Sequence, residues 1–228
     1  MTARAAAFVA RETAVACPPF VPEVRLHLAT EVTPLWRATE AALARAGVPP
    51  PYWAFAWAGG QALARYLLDH PAAVAGKRVL DLAAGGGIVA IAAARAGAAR
   101  VSAADIDPFA AAALRLNAAL NGVALEVIAE DLTERDARGA WDVVVAGDVF
   151  YERAMVARVL PWLRRCAEGP AAVLVGDPGR AYCPAEGALE LARYLVPTSL
   201  DLEGREQREA RVLRLCPAGW LSQPRTVA

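Results

Sequence analysis

Carboxylates recur in this chain where short apolar runs stop. Asp81 ends the run Val79-Leu80, Asp105 follows Ser102-Ala103-Ala104, Asp131 follows Val127-Ile128 at a short distance, and Asp148 follows Val143 to Gly147. Between the first two acids lies the triplet Gly85-Gly86-Gly87. Gly85, Gly87 and Ala90 satisfy G-x-G-x-x-G/A. Asp105 stands about 20 residues on, where an acid reaches a ribose, so the spacing admits a dinucleotide. Asp81 speaks against one, because a carboxylate beside the turn repels a pyrophosphate. S-adenosylmethionine carries a sulfonium and an α-ammonium and no phosphate, so the same carboxylate attracts it while Asp105 accepts from the ribose hydroxyls. Charge complementarity therefore favours the methyl donor. A dinucleotide, or a glycine turn that only packs helix on sheet, remains open at this point.

The elements that must position these acids follow from periodicity. Residues 77–107 read as strand, glycine turn, helix over 88–95 closed by Gly97, and a second strand over 100–104. That is half of a mononucleotide-binding fold, with its crevice at the carboxyl ends of the strands. Asp107 and Pro108 start a helix that Asn121-Gly122 stops. A third strand at 125–128 leads to Asp131. A fourth, over 141–147, is apolar in its middle and hence central, and it delivers Gly147, Asp148, Phe150 and Tyr151 to the same edge. A helix over 152–165 and a fifth strand over 171–176 lead to Asp177-Pro178-Gly179-Arg180. A helix near 185–192 and strands near 194–202 and 208–216 complete the pattern, the lost alternation predicting an antiparallel final hairpin.

Upstream, residues 1–12 predict a short helix and residues 24–28 a half-buried strand with His27 on its polar face. Thr33 is placed to cap a helix from Pro34 to Gly47. Tyr52, Trp53, Phe55 and Trp57 crowd ahead of Gly59-Gly60 and a helix through Leu63 and Leu67, which makes them either core or the wall of a pocket. Residues 1–50 are read as an extension packed on one main domain, 51–228.

Lys plus Arg and Asp plus Glu number 24 each, so net charge offers no case for a nucleic-acid or anionic membrane surface. No apolar run is long enough to span a bilayer without Asp, Arg or Pro interrupting it. Cys17, Cys166, Cys183 and Cys216 form no C-x-x-C pair and neither histidine neighbours one, which predicts reduced thiols and no metal site. A bacterial-type cytoplasm is the expected compartment. The Arg- and Ala-rich start leaves a mitochondrial matrix as alternative, though Glu12 and Pro18-Pro19 weigh against a transit peptide.

The order VLDLAAGGG, ADIDP, NGV, EDL, VVVAGDVFY resembles the motif series of class I S-adenosylmethionine-dependent methyltransferases. More narrowly, PYWAFAWAGGQALARYLLD, AADIDPFA, GDVFYE and GDPGR are similar, over residues 21–215, to the lysine methyltransferases of the electron transfer flavoprotein β subunit. The resemblance implies an α/β Rossmann-like fold: a seven-stranded, mostly parallel sheet with an antiparallel last strand and helices on both faces. It implies S-adenosylmethionine as cofactor, S-adenosylhomocysteine as product, no metal, and a protein substrate, the electron transfer flavoprotein β subunit, acted on by a monomer. Asp81, Gly85 and Gly87 would hold the methionyl end, Asp105 the ribose and Asp131 the adenine amine. Trp57, Gly59, Gly60 and Gly147 would complete the cofactor wall. Asp148 and Tyr151 would border the target nitrogen, Phe150 would line a dry mouth, and Arg180 would grip the protein substrate. Ala83 departs from the family pattern, which often has glycine there. Another protein of ribosomal type or a small amine is the alternative acceptor. A non-catalytic nucleotide-binding module is the third reading, disfavoured by acids at four strand ends.

Overall fold

Strict alternation of apolar residues organises the sheet. Val79, Val101, Val143, Val145 and Leu174 pack on one face, while Leu80, Val144, Ala146, Val173 and Val175 pack on the other. A strand buried on both faces needs such runs, and its neighbours in a βαβ fold run parallel to it. The computed structural model describes residues 3–30, 50–136 and 139–217. The expected helix from Pro34 to Gly47 and its Thr33 cap lie outside them.

The main sheet has the order β5-β4-β3-β6-β7-β9-β8. Its members are β3 (Arg78–Leu82), β4 (Arg100–Ala104), β5 (Glu126–Ile128), β6 (Val143–Gly147), β7 (Ala172–Asp177), β8 (Ala188–Pro197) and β9 (Gln207–Leu215). Within this sheet only β9 runs against the other strands: it pairs antiparallel with both β7 and β8, so it is inserted between two strands that share a direction. The helices α2 (Ala58–Asp69), α3 (Ile88–Arg95) and α4 (Pro108–Asn121) reach one face through Leu63, Ile91 and Leu114. The helix α5 (Arg153–Glu168) covers the other through Val159, Trp162 and Leu163.

The helix expected near 185–192 is absent. Its Ala, Glu and Leu residues favour a helix locally, but residues from Ala188 onward form β8, paired with β9 from Ala188↔Leu215 to Pro197↔Gln207 with a bulge at Glu190/Ala192. A long ladder outweighs a propensity difference of tenths of a kcal/mol per residue. The strand expected to reach Leu202 stops at Pro197, and Ser199 caps the short helix α6 (Leu200–Glu203).

The N-terminal helix α1 (Ala3–Glu12) is present and buries Ala5 and Val9 against Trp53, Ala54 and three alanines of α4. The strands β1 (Ala14–Ala16) and β2 (Leu26–Leu28) form a separate antiparallel pair. His27 is half-buried rather than exposed, its Nδ1 lying 3.1 Å from Thr13 Oγ1. Its backbone N–H donates to Oδ1 of Asn117 at 2.8 Å, and Asn117, fully buried, donates in turn to the Gly86 carbonyl at 2.8 Å. One amide therefore ties the N-terminal strand pair to the glycine turn.

The N-terminus of α2 meets the carboxyl ends of β6 and β7 backbone to backbone. A Cβ on Gly147 would lie 2.9 Å from Gly60 Cα, and one on Gly176 would fall on the Gly59 carbonyl oxygen. Gly147 and Gly176 are in register across β6 and β7. Four glycines, two on each side, thus set the separation of helix and sheet. Gly176→Ala is expected to lower the unfolding free energy by about 3 kcal/mol or more, read as the denaturation midpoint in urea with an unchanged slope.

Candidate active site

A cleft of about 810 Å³ opens over the carboxyl edge of β3, β4 and β6. Seven carboxylates line it, Asp81, Asp105, Asp107, Glu130, Asp131, Asp148 and Glu152, against two guanidiniums, Arg158 and Arg180. Such a lining attracts a cation and repels a polyphosphate.

Asp81, at the end of β3, is buried, and its Oδ2 accepts from the N–H of Ala90 in the first turn of α3 at 2.9 Å. Burial pushes its carboxyl up to about 8, the Ala90 N–H pulls it back, and the charge of Asp105 raises it further. Asp105 accepts from Gly85 N at 2.9 Å through Oδ2 and from Asp107 N at 2.9 Å through Oδ1. Burial still raises its pKa above the usual carboxylate range, against those backbone donors. The glycine turn needs left-handed backbone at Gly85 (φ 53°) and Gly87 (φ 85°). Ala83, where the family pattern has glycine, is also left-handed, at φ 55°. The chain holds an alanine there at a cost of about 1 kcal/mol.

Asp131 bonds to Thr133 through N–H (2.8 Å) and hydroxyl (2.6 Å) and pairs with Arg158. Desolvation raises its pKa, but the Thr133 and Arg158 donors outweigh it and leave the carboxyl below its ordinary value.

Asp148 sits just past β6 in left-handed backbone, φ 56°, a strained geometry of the kind that clusters at working sites. The twist turns its carboxylate under α2, where Oδ2 accepts from Gly60 N at 2.7 Å. Oδ1 accepts from Arg180 Nη2 at 2.7 Å and Nε at 3.1 Å. Burial pushes the carboxyl up to about 6, with Arg180 and the Gly60 N–H opposing. Tyr151 packs against Tyr52 at 5.5 Å between centroids, and Tyr52 against Trp57 at 6.2 Å, forming an aromatic mouth. Burial, with the neighbouring Tyr52, Glu152 and Asp105, pushes the Tyr151 phenol up to about 12, so it stays protonated at neutral pH.

The cleft brings together Trp57, Gly60, Asp81, Gly85, Asp105, Asp131, Gly147, Asp148, Tyr151 and Arg180. Three expected residues stand apart. Phe150 does not line the mouth: after the turn at Asp148 it drops into the core beneath the sheet, fully buried with Trp162 and Leu163. Gly59 lies behind the wall, packed on the Gly176 carbonyl, and Gly87 caps α3 under Leu114. Arg180 does not project as a free grip, being bonded to Asp148 and to Glu203 and lying 5.6 Å over the Trp57 ring. Glu203 and Gly176 escaped the sequence reading. The signal for Gly176 was the repeated Gly-Asp at two strand ends, Gly147-Asp148 and Gly176-Asp177. Among the described residues, no group of three or more His, Cys, Asp or Glu is placed to hold a metal ion.

The model of a family described as ribosomal protein L11 methyltransferase matches residues 62–149. A Xenopus laevis protein named electron transfer flavoprotein beta subunit lysine methyltransferase is 41% identical over 202 residues, 88% of this chain and 80% of its own. The Homo sapiens protein of that name is 43% identical over 164 residues, 70% of this chain and 60% of its own. Among solved structures, a ribosomal protein L11 methylase from Lactobacillus delbrueckii subsp. bulgaricus superposes with a TM-score of 0.50 at 20% identity, covering 71% of this chain and 81% of that one. Magnesium protoporphyrin IX methyltransferase from Synechocystis, with bound S-adenosylhomocysteine, gives a TM-score of 0.50 at 16% identity, covering 69% and 81%. At those identities the likeness is one of fold, the class I methyltransferase fold.

The position of Asp81 has a measurable consequence. Its native pKa of about 8 lies above the ordinary 3.8, so between those values the folded protein holds a proton that the unfolded chain has released. The stability this confers is lost progressively as pH rises above 3.8 and is gone once pH has passed about 8. The ligand-free protein is expected to drop in Tm by at least about 2 °C between pH 6 and 9, and Asp81→Asn to flatten that slope in a thermal denaturation series.

Proposed function

The chain belongs to the family of electron transfer flavoprotein β-subunit lysine methyltransferases, S-adenosylmethionine-dependent enzymes that methylate protein lysines, and we propose that its own substrate is the electron transfer flavoprotein β subunit. The identity to proteins of that name over most of the chain carries the substrate, and a carboxylate-lined cleft whose aromatic mouth holds Asp148 and Tyr151 beside the acids of the glycine turn supports the chemistry.

The cleft fits a cationic donor. Among the described residues Asp81 is paired to a backbone N–H rather than to any cationic side chain, so an α-ammonium would supply the charge that its burial lacks. We assign Asp81, with the turn shaped by Gly85 and Gly87, to the methionyl end. Asp105 is assigned to the ribose hydroxyls, and Asp131, steadied by Arg158, to the adenine amine. Trp57, Gly60 and Gly147 form the near wall, with Gly59 behind it. When bound, the cofactor would supply an electrophilic methyl on a sulfonium sulfur, whose C–S electron pair would stay with the sulfur as the thioether when a neutral substrate nitrogen takes the methyl. What this chain's residues must do is align that nitrogen and keep it unprotonated, since free lysine titrates at about 10.4 and its ammonium has no lone pair. The mouth of Tyr52, Trp57 and Tyr151 desolvates the amine and lowers its pKa. It also receives a methylated, charged amine by cation–π attraction, which permits repeated transfer. Asp148 is assigned to accepting an N–H from the incoming amine, and Tyr151 to flanking it.

The wider proposal has a monomer with residues 1–50 as an extension on the domain 51–228. Its compartment is one of reduced thiols, a bacterial-type cytoplasm or, alternatively, a mitochondrial matrix, in keeping with four free cysteines. The match of residues 62–149 to the ribosomal protein L11 methyltransferase model favours a second reading, a ribosomal-type protein acceptor.

Incubation with methyl-labelled cofactor and purified electron transfer flavoprotein, followed by peptide mass spectrometry, is expected to place label on lysines of the β subunit. Label on ribosomal proteins alone would transfer the assignment to the second reading. Asp148→Ala is expected to lose turnover by about 100-fold at unchanged cofactor affinity. Asp105→Ala is expected to weaken cofactor binding itself by about tenfold, both read by calorimetry beside the rate assay.

A further inference from the structure

Asp148 poses an electrostatic difficulty. A bare carboxylate beside the substrate amine stabilises the ammonium form, which cannot attack. The difficulty is met by a cluster of four buried or half-buried charges that spans three segments. Arg180, in the loop after β7, has a side chain only 15% exposed, and it bridges Asp148 (7%) and Glu203 (1%). Its Nη1 lies 3.1 Å from Glu203 Oε2 and its Nη2 2.9 Å from Oε1. Arg208 of β9 approaches the same carboxylate at 3.1 Å. The Arg180 backbone N–H is held by Asp177 Oδ1 at 3.0 Å, and the Trp57 ring covers the guanidinium. Arg180 is thus fixed at both ends of its side chain and has no freedom to swing out to a protein surface.

The acceptor count fits a working role for the pair. A carboxylate offers about four acceptor positions, and Asp148 uses three, two for Arg180 and one for Gly60 N. One is left for an N–H from the cleft, which Asp148 lines.

We propose that Arg180 is a charge-balancing residue and Glu203 its positioning residue: together they let Asp148 orient the incoming lysine amine without holding a proton on it. The inference rests on the lysine chemistry of the preceding section and adds to it two residues that act on the protonation state of the acceptor. The charged and titratable groups facing Asp148 are Arg180 and Glu203, with Arg208 behind Glu203 and Tyr151 on the neighbouring turn.

The test is the pH profile of kcat at saturating cofactor and electron transfer flavoprotein, which reports ionisations in the enzyme–substrate complex. Its rising limb above neutral pH reports loss of the amine proton. Arg180→Gln leaves Asp148 unbalanced and is expected to move that limb up by about one pH unit. Arg180→Lys, which keeps the charge, is expected to restore it towards the wild type. Glu203→Gln keeps a hydrogen-bonding partner for Arg180 but removes one negative charge, and is expected to move the limb down. A purely structural role would lower the rate at every pH and leave the limb in place. An unmoved limb in Glu203→Gln and Arg180→Lys relative to each other, or movement of Arg180→Gln and Glu203→Gln in the same direction, overturns the inference. Should Arg180→Gln fail to fold, a limb lowered in Glu203→Gln and held near the wild type in Arg180→Lys still decides it. Absence of methyl transfer by the wild type would overturn the substrate reading, and the inference with it; transfer with unshifted profiles overturns the inference alone.

Discussion

The close approach of the α2 N-terminus to the ends of β6 and β7 is the constraint on which the site depends. Helix N-termini carry unpaired N–H groups and partial positive charge, and α2 receives no side-chain cap from Trp57, its own N-cap residue. The cap comes from elsewhere in the chain. Asp148 reaches the N–H of Gly60, and Glu203 comes within 3.5 Å of that of Ala58. Contact this tight excludes a Cβ at Gly59, which would lie 2.6 Å from Asp148 Oδ2. The acid assigned to the substrate is therefore also a cap of the fold, which explains why its strained left-handed backbone is retained: the geometry that strains it is the one that satisfies a buried donor.

The same logic runs along the rest of the edge. Among the described residues, Asp81 and Asp105 are met by backbone N–H groups, of Ala90 in one case and of Gly85 and Asp107 in the other, and by no cationic side chain. Backbone donors satisfy hydrogen bonding but leave the charge of a buried carboxylate without a counterion, so the pKa rises. The donor assigned to this edge bears the positive charge that the fold does not supply. Asp131 and Asp148 differ, each facing an arginine. The charge pattern thus separates acids that await a cation from acids already balanced.

Much of this was legible in the sequence because it rests on local rules. The helix of residues 88–95, the cap at Asp107, the stop at Gly122 and the strands carrying Asp81, Asp105 and Asp148 all follow from periodicity and turn chemistry, and the structure has them. What failed was non-local. Residues 188–192 carry helix-forming types, and only pairing with β9, which comes later in the chain, makes them part of a strand. Phe150 sits two residues past Asp148 and looked like mouth lining. A backbone reversal that no residue type announces, since φ at Asp148 is 56°, sends it into the core instead. Glu203 lies 55 residues beyond Asp148, at the end of the short helix α6, and no spacing rule links it to Arg180.

Asn117 carries a different lesson. Its amide joins the Gly86 carbonyl to the His27 N–H, so a segment remote from the cleft acts as a brace on the loop assigned to the donor. The leading thirty residues are for that reason no inert overhang. Anyone trimming them to simplify expression, or hanging a fusion partner on them, would be working on a lever whose short arm ends at the glycine turn.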